Sequence, residues 1–164
     1  MASEVISSAL LMIATIVATV ALINAVIPSI YSMSGSITSV TNNVNNQMKT
    51  DVKFIYETTD DSNHLTAWVK NTGQTQLALT NFNLTDVFYG DANGVMTRAQ
   101  LNSTEYPSWT FNLENDNGNG QWDPGETIRI DITAPVDQPF VAGTDYKVRL
   151  TLYNGAFCED YFTK

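Results

Sequence analysis

Hydrophobic and polar positions divide this chain into two stretches with different periods. From Val5 to Ile27 it reads VISSALLMIATIVATVALINAVI, an uncharged apolar run. Twenty-three residues at helical rise span about 34 Å, enough to cross the hydrocarbon core of a membrane. Asn24 and the scattered Ser and Thr are compatible with this, because helical hydroxyls bond back to the preceding turn. Beyond Pro28, Ile30, Met33, Ile37, Val40, Val44 and Met48 recur at spacings of 3, 4, 3, 4 and 4, an apolar stripe close to a heptad. The intervening positions are Ser, Thr, Asn and Gln. Pro28 removes one backbone donor and crowds the turn before it, so the pattern predicts a kink there and not an end. The competing reading of residues 29–48 is a polar linker, because Asn42, Asn43, Asn45 and Asn46 are poor helix formers.

After Asp51 the period becomes two. Val52, Phe54 and Tyr56 alternate with Lys53, Ile55 and Glu57. Leu65, Ala67 and Val69 alternate with Thr66, Trp68 and Lys70; Ile128, Ile130 and Ile132 with Thr127, Arg129 and Asp131. Tyr146, Val148, Leu150 and Leu152 alternate with Lys147, Arg149 and Thr151. One apolar and one polar face marks antiparallel strands packed on a core. Turn signals separate the runs at Asp60-Asp61-Ser62-Asn63, Asn71-Thr72-Gly73, Gly90 to Gly94, Pro124-Gly125 and Asn154-Gly155. The fold class expected is α+β. A long N-terminal helix, residues 1–49, is followed by an immunoglobulin-like antiparallel β-sandwich of about seven strands, residues 50–164.

The helix is longer than a membrane anchor needs, and an apolar stripe must be buried against something. The candidates are the β-domain or neighbouring copies of the chain. Small residues (Ala9, Ala14, Ala18, Ala21 and Ala25, with Ser7 and Ser8) permit close helix–helix approach in an apolar medium. The candidate assembly face therefore comprises Leu10, Ile13, Val17, Val20 and Ile27 in the apolar half and Ile30, Met33, Ile37, Val40, Val44 and Met48 in the stripe.

Charge is distributed as unevenly as hydropathy. Residues 1–48 contain one charged side chain, Glu4, so the net charge of −9 belongs almost wholly to the rest of the chain. An acidic surface repels phosphate backbones and argues against a nucleic-acid partner. A secretory signal peptide fits poorly: no basic residue precedes the apolar run and no A-x-A site is followed by a change in composition. Without flanking cations the positive-inside rule cannot orient the segment. Either a basic leader has been removed or the short N-terminus stays cytoplasmic. The lone cysteine, Cys158, excludes an intrachain disulfide and reads as a small buried hydrophobe. His64 is the one histidine, and the chain has no GxSxG, HExxH, Walker or GxGxxG motif. No nucleophile–base pair can be assembled, which argues against an enzyme.

The sharpest local motif is Asn115-Asp-Asn-Gly-Asn-Gly-Gln-Trp-Asp-Pro-Gly-Glu126. On an EF-hand template Asn115, Asn117 and Asn119 take positions 1, 3 and 5, and Gly120 the sharp turn. The Gln121 carbonyl takes position 7, Asp123 position 9 and Glu126 position 12. Such a loop would hold Ca2+ weakly, near the extracellular 0.1–1 mM range, as roughly the limit that two charged ligands set. The alternative is a tight Asn/Gly hairpin ended by Pro124-Gly125. Two N-glycosylation sequons, at Asn83 and Asn102, agree with an outside location; Asn83 faces outward if Phe82 and Leu84 face inward. The aromatics Trp68, Trp109, Trp122, Tyr89 and Tyr153 read as core or rim packing in preference to a binding face.

Three segments carry a family resemblance. The stretch ASEVISSALLMIATIVATVALINAVIPSIYSMSGSI (residues 2–37) resembles the FlaG/FlaF accessory proteins of the archaellum, within the archaellin and type IV pilin-like group with class III signal peptides. AWVKNTGQTQL (residues 67–77) and WDPGETIRI (residues 122–130) are similar to strand-turn segments of that group's β-domain. The resemblance implies a part in the archaellum, the rotating archaeal motility filament. Its helix would be anchored in the cytoplasmic membrane or packed in a filament core, with the β-domain at the cell surface or in the pseudoperiplasm. Glu4 stands near the place where pilin-like proteins carry an acid that neutralises a neighbour's N-terminus. The implied partners are further copies of the chain, membrane lipid, other archaellum subunits and an S-layer protein. A membrane-anchored, stator-like module that binds S-layer protein or glycan is the alternative role.

Overall fold

A computed structural model describes residues 2–59 and 63–164, so most of the turn expected at Asp60-Asp61-Ser62-Asn63 lies outside the described residues. One helix, α1 (Ala2–Lys49), runs uninterrupted through Pro28 and Gly35. The polar-linker reading of residues 29–48 is thereby corrected: the stripe's helical spacing outweighs the weak propensity of its asparagines. The chain divides into two compact units, 1–44 and 45–164, so the last helical turn belongs with the β-domain.

Among the described residues the β-domain has ten strands: β1 (Val52–Thr58), β2 (His64–Asn71), β3 (Leu77–Ala78), β4 (Asp86–Asp91), β5 (Thr97–Leu101), β6 (Ser108–Leu113), β7 (Gln121–Trp122), β8 (Thr127–Thr133), β9 (Asp145–Thr151) and β10 (Phe157–Thr163). A 3-10 helix, Leu79–Leu84, precedes β4. Eight strands follow the order β1-β2-β8-β6-β5-β4-β9-β10, and β3 pairs with β7 separately. All ladders are antiparallel except the short β5–β6 pair, Gln100↔Ser108 and Leu101↔Trp109. That parallel pair joins a four-strand half, β1-β2-β8-β6, to a second, β5-β4-β9-β10. The terminal strands β1 and β10 come alongside each other without a shared ladder.

The core follows the alternation read from the sequence. Leu65, Ala67 and Val69 on β2, Ile128, Ile130 and Ile132 on β8, and Tyr146, Val148 and Leu150 on β9 are buried. Val87 and Tyr89 on β4 and Trp109 on β6 close the core from the other strands, and Trp122 and Phe82 pack edge-on at 6.0 Å. Trp109 and Trp122 are thus packing residues, while Trp68 is half-buried against Tyr56 at 5.6 Å.

β1 departs from strict alternation. Phe54 pairs with Val69 and Tyr56 with Trp68, so a bulge absorbs Ile55. Past the bulge the phase of the strand inverts. Tyr56, expected inward, is 59% exposed, and Glu57, expected outward, is half-buried. The Glu57 Oε1 atom is buried and accepts no hydrogen bond among the described residues. Desolvation, and then the nearby charge of Asp160, push its pKa up to about 7 from 4.5. Cys158 lies in the same region; burial, then Asp51, Asp160 and Glu57, push its thiol up to about 12, which leaves it inert as a nucleophile.

Because the folded Glu57 holds its proton up to about pH 7 and the unfolded one releases it near 4.5, the native state binds more protons between these values. Stability therefore falls as pH rises through that window, and the penalty is fully present above it. Glu57→Gln removes the charge. It is expected to raise the melting temperature at pH 8 by roughly 3 °C and to change it little at pH 4.5. An equal effect at both pH values would show that the carboxyl is not the group responsible.

Candidate assembly helix and helix-end socket

From Ser3 to Lys49 every residue of α1 is exposed. Its 48 residues span about 72 Å, more than twice the roughly 30 Å of a hydrocarbon core. The N-terminal part is long and apolar enough to cross a membrane, with a mean hydropathy of 2.6 over its most apolar 18-residue window. Its hydroxyls turn inward: Ser8 donates to the Val5 carbonyl (3.0 Å), Thr15 to Met12 (2.8 Å) and Thr19 to Thr15 (2.8 Å). Ser36 and Thr38 do the same further along, each at 3.0 Å. The helix therefore presents few unsatisfied donors to an apolar surrounding. Glu4 stands in the first turn, where the helix dipole favours a carboxylate.

The expected assembly residues from Leu10 to Met48 are between 43% and 81% exposed. At about 100° per residue, Ile30, Met33, Ile37, Val40, Val44 and Met48 fall within an arc of about 80°. Burying these six side chains is worth on the order of 10 kcal/mol.

The end of the helix is held by two segments that the sequence had marked only as turns. Thr50, buried, donates through Oγ1 to the Asn46 carbonyl (2.8 Å) and accepts from Asn154 Nδ2 (2.8 Å). Gln47 Nε2 donates to the Gly155 carbonyl (3.1 Å). The Lys49 carbonyl accepts from the Gln74 amide (2.8 Å), and the Asp51 carbonyl from Thr72 (2.9 Å) and Gly73 (2.8 Å). Thr72 Oγ1 also donates to the Asp51 carboxylate (2.7 Å). Beneath them Asn71 is fully buried; its Nδ2 donates to the carbonyls of Thr75 (2.9 Å) and Trp122 (3.0 Å). Its backbone bridges Glu126 and Gly125. KNTG (residues 70–73) and WDPGE (residues 122–126) thus interlock through Asn71.

The 115–126 loop is a ladder of side-chain-capped turns. Asn117 and Asn119 direct their amide nitrogens to Asp123 Oδ2, at 2.7 and 2.8 Å, while their oxygens accept from backbone amides. Asn115 accepts from Thr127 N (2.8 Å), and Glu126, buried, from Asp123 N (2.9 Å). Gly125, with φ +89°, supplies the left-handed position of the Asp123–Glu126 turn. Gln121 lies on β7, paired with Ala78. Among the described residues no group of three His, Cys, Asp or Glu is placed to hold a metal. Calcium occupancy would require both amides to turn away from Asp123. The expectation is that calorimetry shows no heat below about 0.1 mM Ca2+. Binding tighter than that would mean that the loop reorganises around the ion.

The archaeal-type flagellin pattern matches residues 2–162. The chain belongs to the archaeal-type flagellin family. This archaellum-related chain is also 34% identical, over 99% of both lengths, to an uncharacterized protein of Archaeoglobus fulgidus. Among solved structures, its fold is shared with the archaeal flagellum of Methanospirillum hungatei (TM-score 0.70, 17% identity, 96% of this chain and 92% of that one). It is shared also with the archaellum periplasmic stator protein FlaG of Sulfolobus acidocaldarius (TM-score 0.58, 24% identity, 69% of this chain and 99% of that one). The FlaF–FlaG stator complex of the same organism matches at TM-score 0.57 and 23% identity, over 68% of this chain and 87% of that one.

On this family member the two sequon asparagines are exposed, and both line one surface pocket of about 410 Å3 with Thr85, Arg98, Gln100 and Leu101. Asn83 faces outward, but not by strand alternation. It lies in the 3-10 helix, so Phe82 is buried while Leu84, expected inward, is 66% exposed. Asn102 adopts φ +51°, a left-handed conformation that asparagine tolerates.

Proposed function

We propose that this chain is a self-assembling, pilin-like subunit of the archaellum. Its helix is buried first in the cytoplasmic membrane and then among the helices of neighbouring copies, with the β-domain outside. The observation that carries the reading is the exposed stripe Ile30–Met48. It continues past the length a membrane needs, and a tethered monomer has no use for it. A role by packing and not by catalysis agrees with the absence of a nucleophile–base pair in the sequence. The likeness to the Methanospirillum filament, which extends over nearly the whole chain and so into the helix, supports the same reading at the level of fold.

A second reading is a stator-like anchor that contacts S-layer protein or glycan. It is favoured by the likeness to FlaG, which covers 69% of this chain and almost all of that one. Electron microscopy of the purified full-length protein after detergent removal separates the two. Ordered filaments with a helical core are expected. Monomers or small oligomers alone would overturn the filament role and favour the anchor.

A further inference from the structure

The outer face of the β4–β9–β10 layer holds a cation that the chain's own acids leave unmatched. The protein has 17 acidic and 8 basic side chains; among the described residues the exposed Lys49 and Lys70 make no ion pair, whereas two of the three arginines do. Arg98 pairs with Asp86 (2.6 Å), and Arg129 with Asp131 (3.0 Å) and Glu114 (3.4 Å). Arg149, the third arginine, has no ion pair among the described residues. Strand register does not explain this. Glu159 stands directly across from Arg149 on β10, yet its carboxylate turns to Lys147 Nζ, 2.9 Å away.

Arg149 instead lies over the Phe157 ring, 4.2 Å from its centroid, and its buried Nε donates to nothing among the described residues. Stacking occupies the face of a guanidinium and leaves donors along its edge for an anion. A half-desolvated cation without a counter-charge is unfavourable and is relieved by an acceptor. Beside it opens a pocket of about 380 Å3 lined by Phe88, Met96, Lys147, Arg149 and Thr151. The unmatched Arg149, with Lys147 (itself paired to Glu159), a ring and a thioether beside it, suits a carboxylate carried on an apolar arm.

We propose that this pocket is an interaction site that takes an acidic side chain, with its apolar neighbour, from a second copy of this chain. The occupant follows from charge complementarity. The surface of every copy is rich in acids, and some adjoin exposed apolar residues, as in Glu105-Tyr106 and Val136-Asp137, where Tyr106 is 56% and Val136 81% exposed. The inference rests on the self-assembly reading, since assembly brings copies together at high local concentration.

The test keeps the full chain in detergent, which covers the helix, and follows association by sedimentation velocity at about 0.02 M and about 0.5 M salt. Expected are dimers or larger species at low salt that dissociate at high salt. Arg149→Gln should weaken association about tenfold. Arg149→Lys, which keeps the charge and loses the stack and fork, should fall between. Lys53→Gln, on β1, should associate as wild type. Melting temperatures measured in parallel separate lost association from lost fold. Wild type that stays monomeric, or Arg149→Gln that associates as wild type, overturns the proposal. If wild type is monomeric but glucuronic acid raises its melting temperature only while Arg149 is present, the occupant is an anionic sugar and the second-copy assignment is wrong. Filaments formed after detergent removal without Arg149-dependent association would overturn this site alone. Arg149-dependent dimers without filaments would overturn the filament role and keep the site.

Discussion

Ile37→Asp or Val44→Asp is expected to abolish filament formation while leaving the β-domain folded. Both residues lie on the stripe, 54% and 46% exposed, and neither belongs to the β-domain core. A carboxylate placed between packed helices must be desolvated without a partner, at a cost of several kcal/mol. Since each 1.4 kcal/mol is tenfold in an equilibrium, the critical concentration should rise by more than about a hundredfold. Membrane insertion should survive, because the apolar run Val5–Ile27 is untouched. Sedimentation after detergent removal reads the assembly, and thermal unfolding reads the domain. Asn42→Asp is the control: it lies about 160° round the helix from Val44 and adds the same charge. If it is equally damaging, the whole circumference of the helix is buried and no stripe exists. Normal filaments from the stripe variants would remove the basis of the proposed function.

The elements legible from sequence are those in which a single period governs. The helix declared itself because Ile30 to Met48 keep helical spacing beyond Pro28, a spacing that outweighs the weak propensity of Asn42, Asn43, Asn45 and Asn46. β2, β8 and β9 declared themselves because one face of each packs on the core along its whole length, so every second residue is apolar. What escaped was set by contacts distant in sequence. The bulge at Ile55 inverts β1 and turns Glu57 inward, although IYE looks like a continued alternation. The 3-10 turn at Leu79–Leu84 exposes Leu84 in a stretch that reads equally well as a strand. Ten strands stand among the described residues where about seven were expected, because the two-residue strands β3 and β7 and the five-residue β5 hold too few positions to establish a period. Of the helix-end socket, the sequence offered a turn signal at Asn71-Thr72-Gly73 and the KNTG and WDPGE segments. It offered nothing to say that they meet, since 51 residues separate Asn71 from Trp122. The unmatched state of Arg149 was invisible for a similar reason: it depends on which of two neighbouring cations Glu159 selects.

Asn71→Ala is expected to destabilise the β-domain by about 3 kcal/mol, among the largest effects of any single polar substitution here. Asn71 is fully buried, and its side chain satisfies three backbone groups: the carbonyls of Thr75 and Trp122 and the amide of Gly73, 3.1 Å from Oδ1. Alanine removes the Nδ2 donor from the Trp122 carbonyl in a buried site and from the Thr75 carbonyl in a half-buried one, each at about 1 kcal/mol or more, and adds a small void, while the Gly73 amide keeps its bond to the Asp51 carbonyl. Asn71→Asp has the same shape and should be worse, because an acceptor oxygen would then face two carbonyls. Gly73→Ala tests the same socket from above. A Cβ there would lie 2.5 Å from both Asp51 N and the Lys49 carbonyl oxygen, backbone atoms that cannot turn aside. Relieving that clash must move the turn at Gly73 away from residues 49–51 and strain or break the bond from Gln74 to Lys49. All three variants should melt roughly 10 °C or more below wild type, with aspartate lowest. A loss of under about 1 kcal/mol for Asn71→Ala would mean that water takes over the two carbonyls. The interlock of KNTG with WDPGE would then be a consequence of the fold around it and not one of its supports.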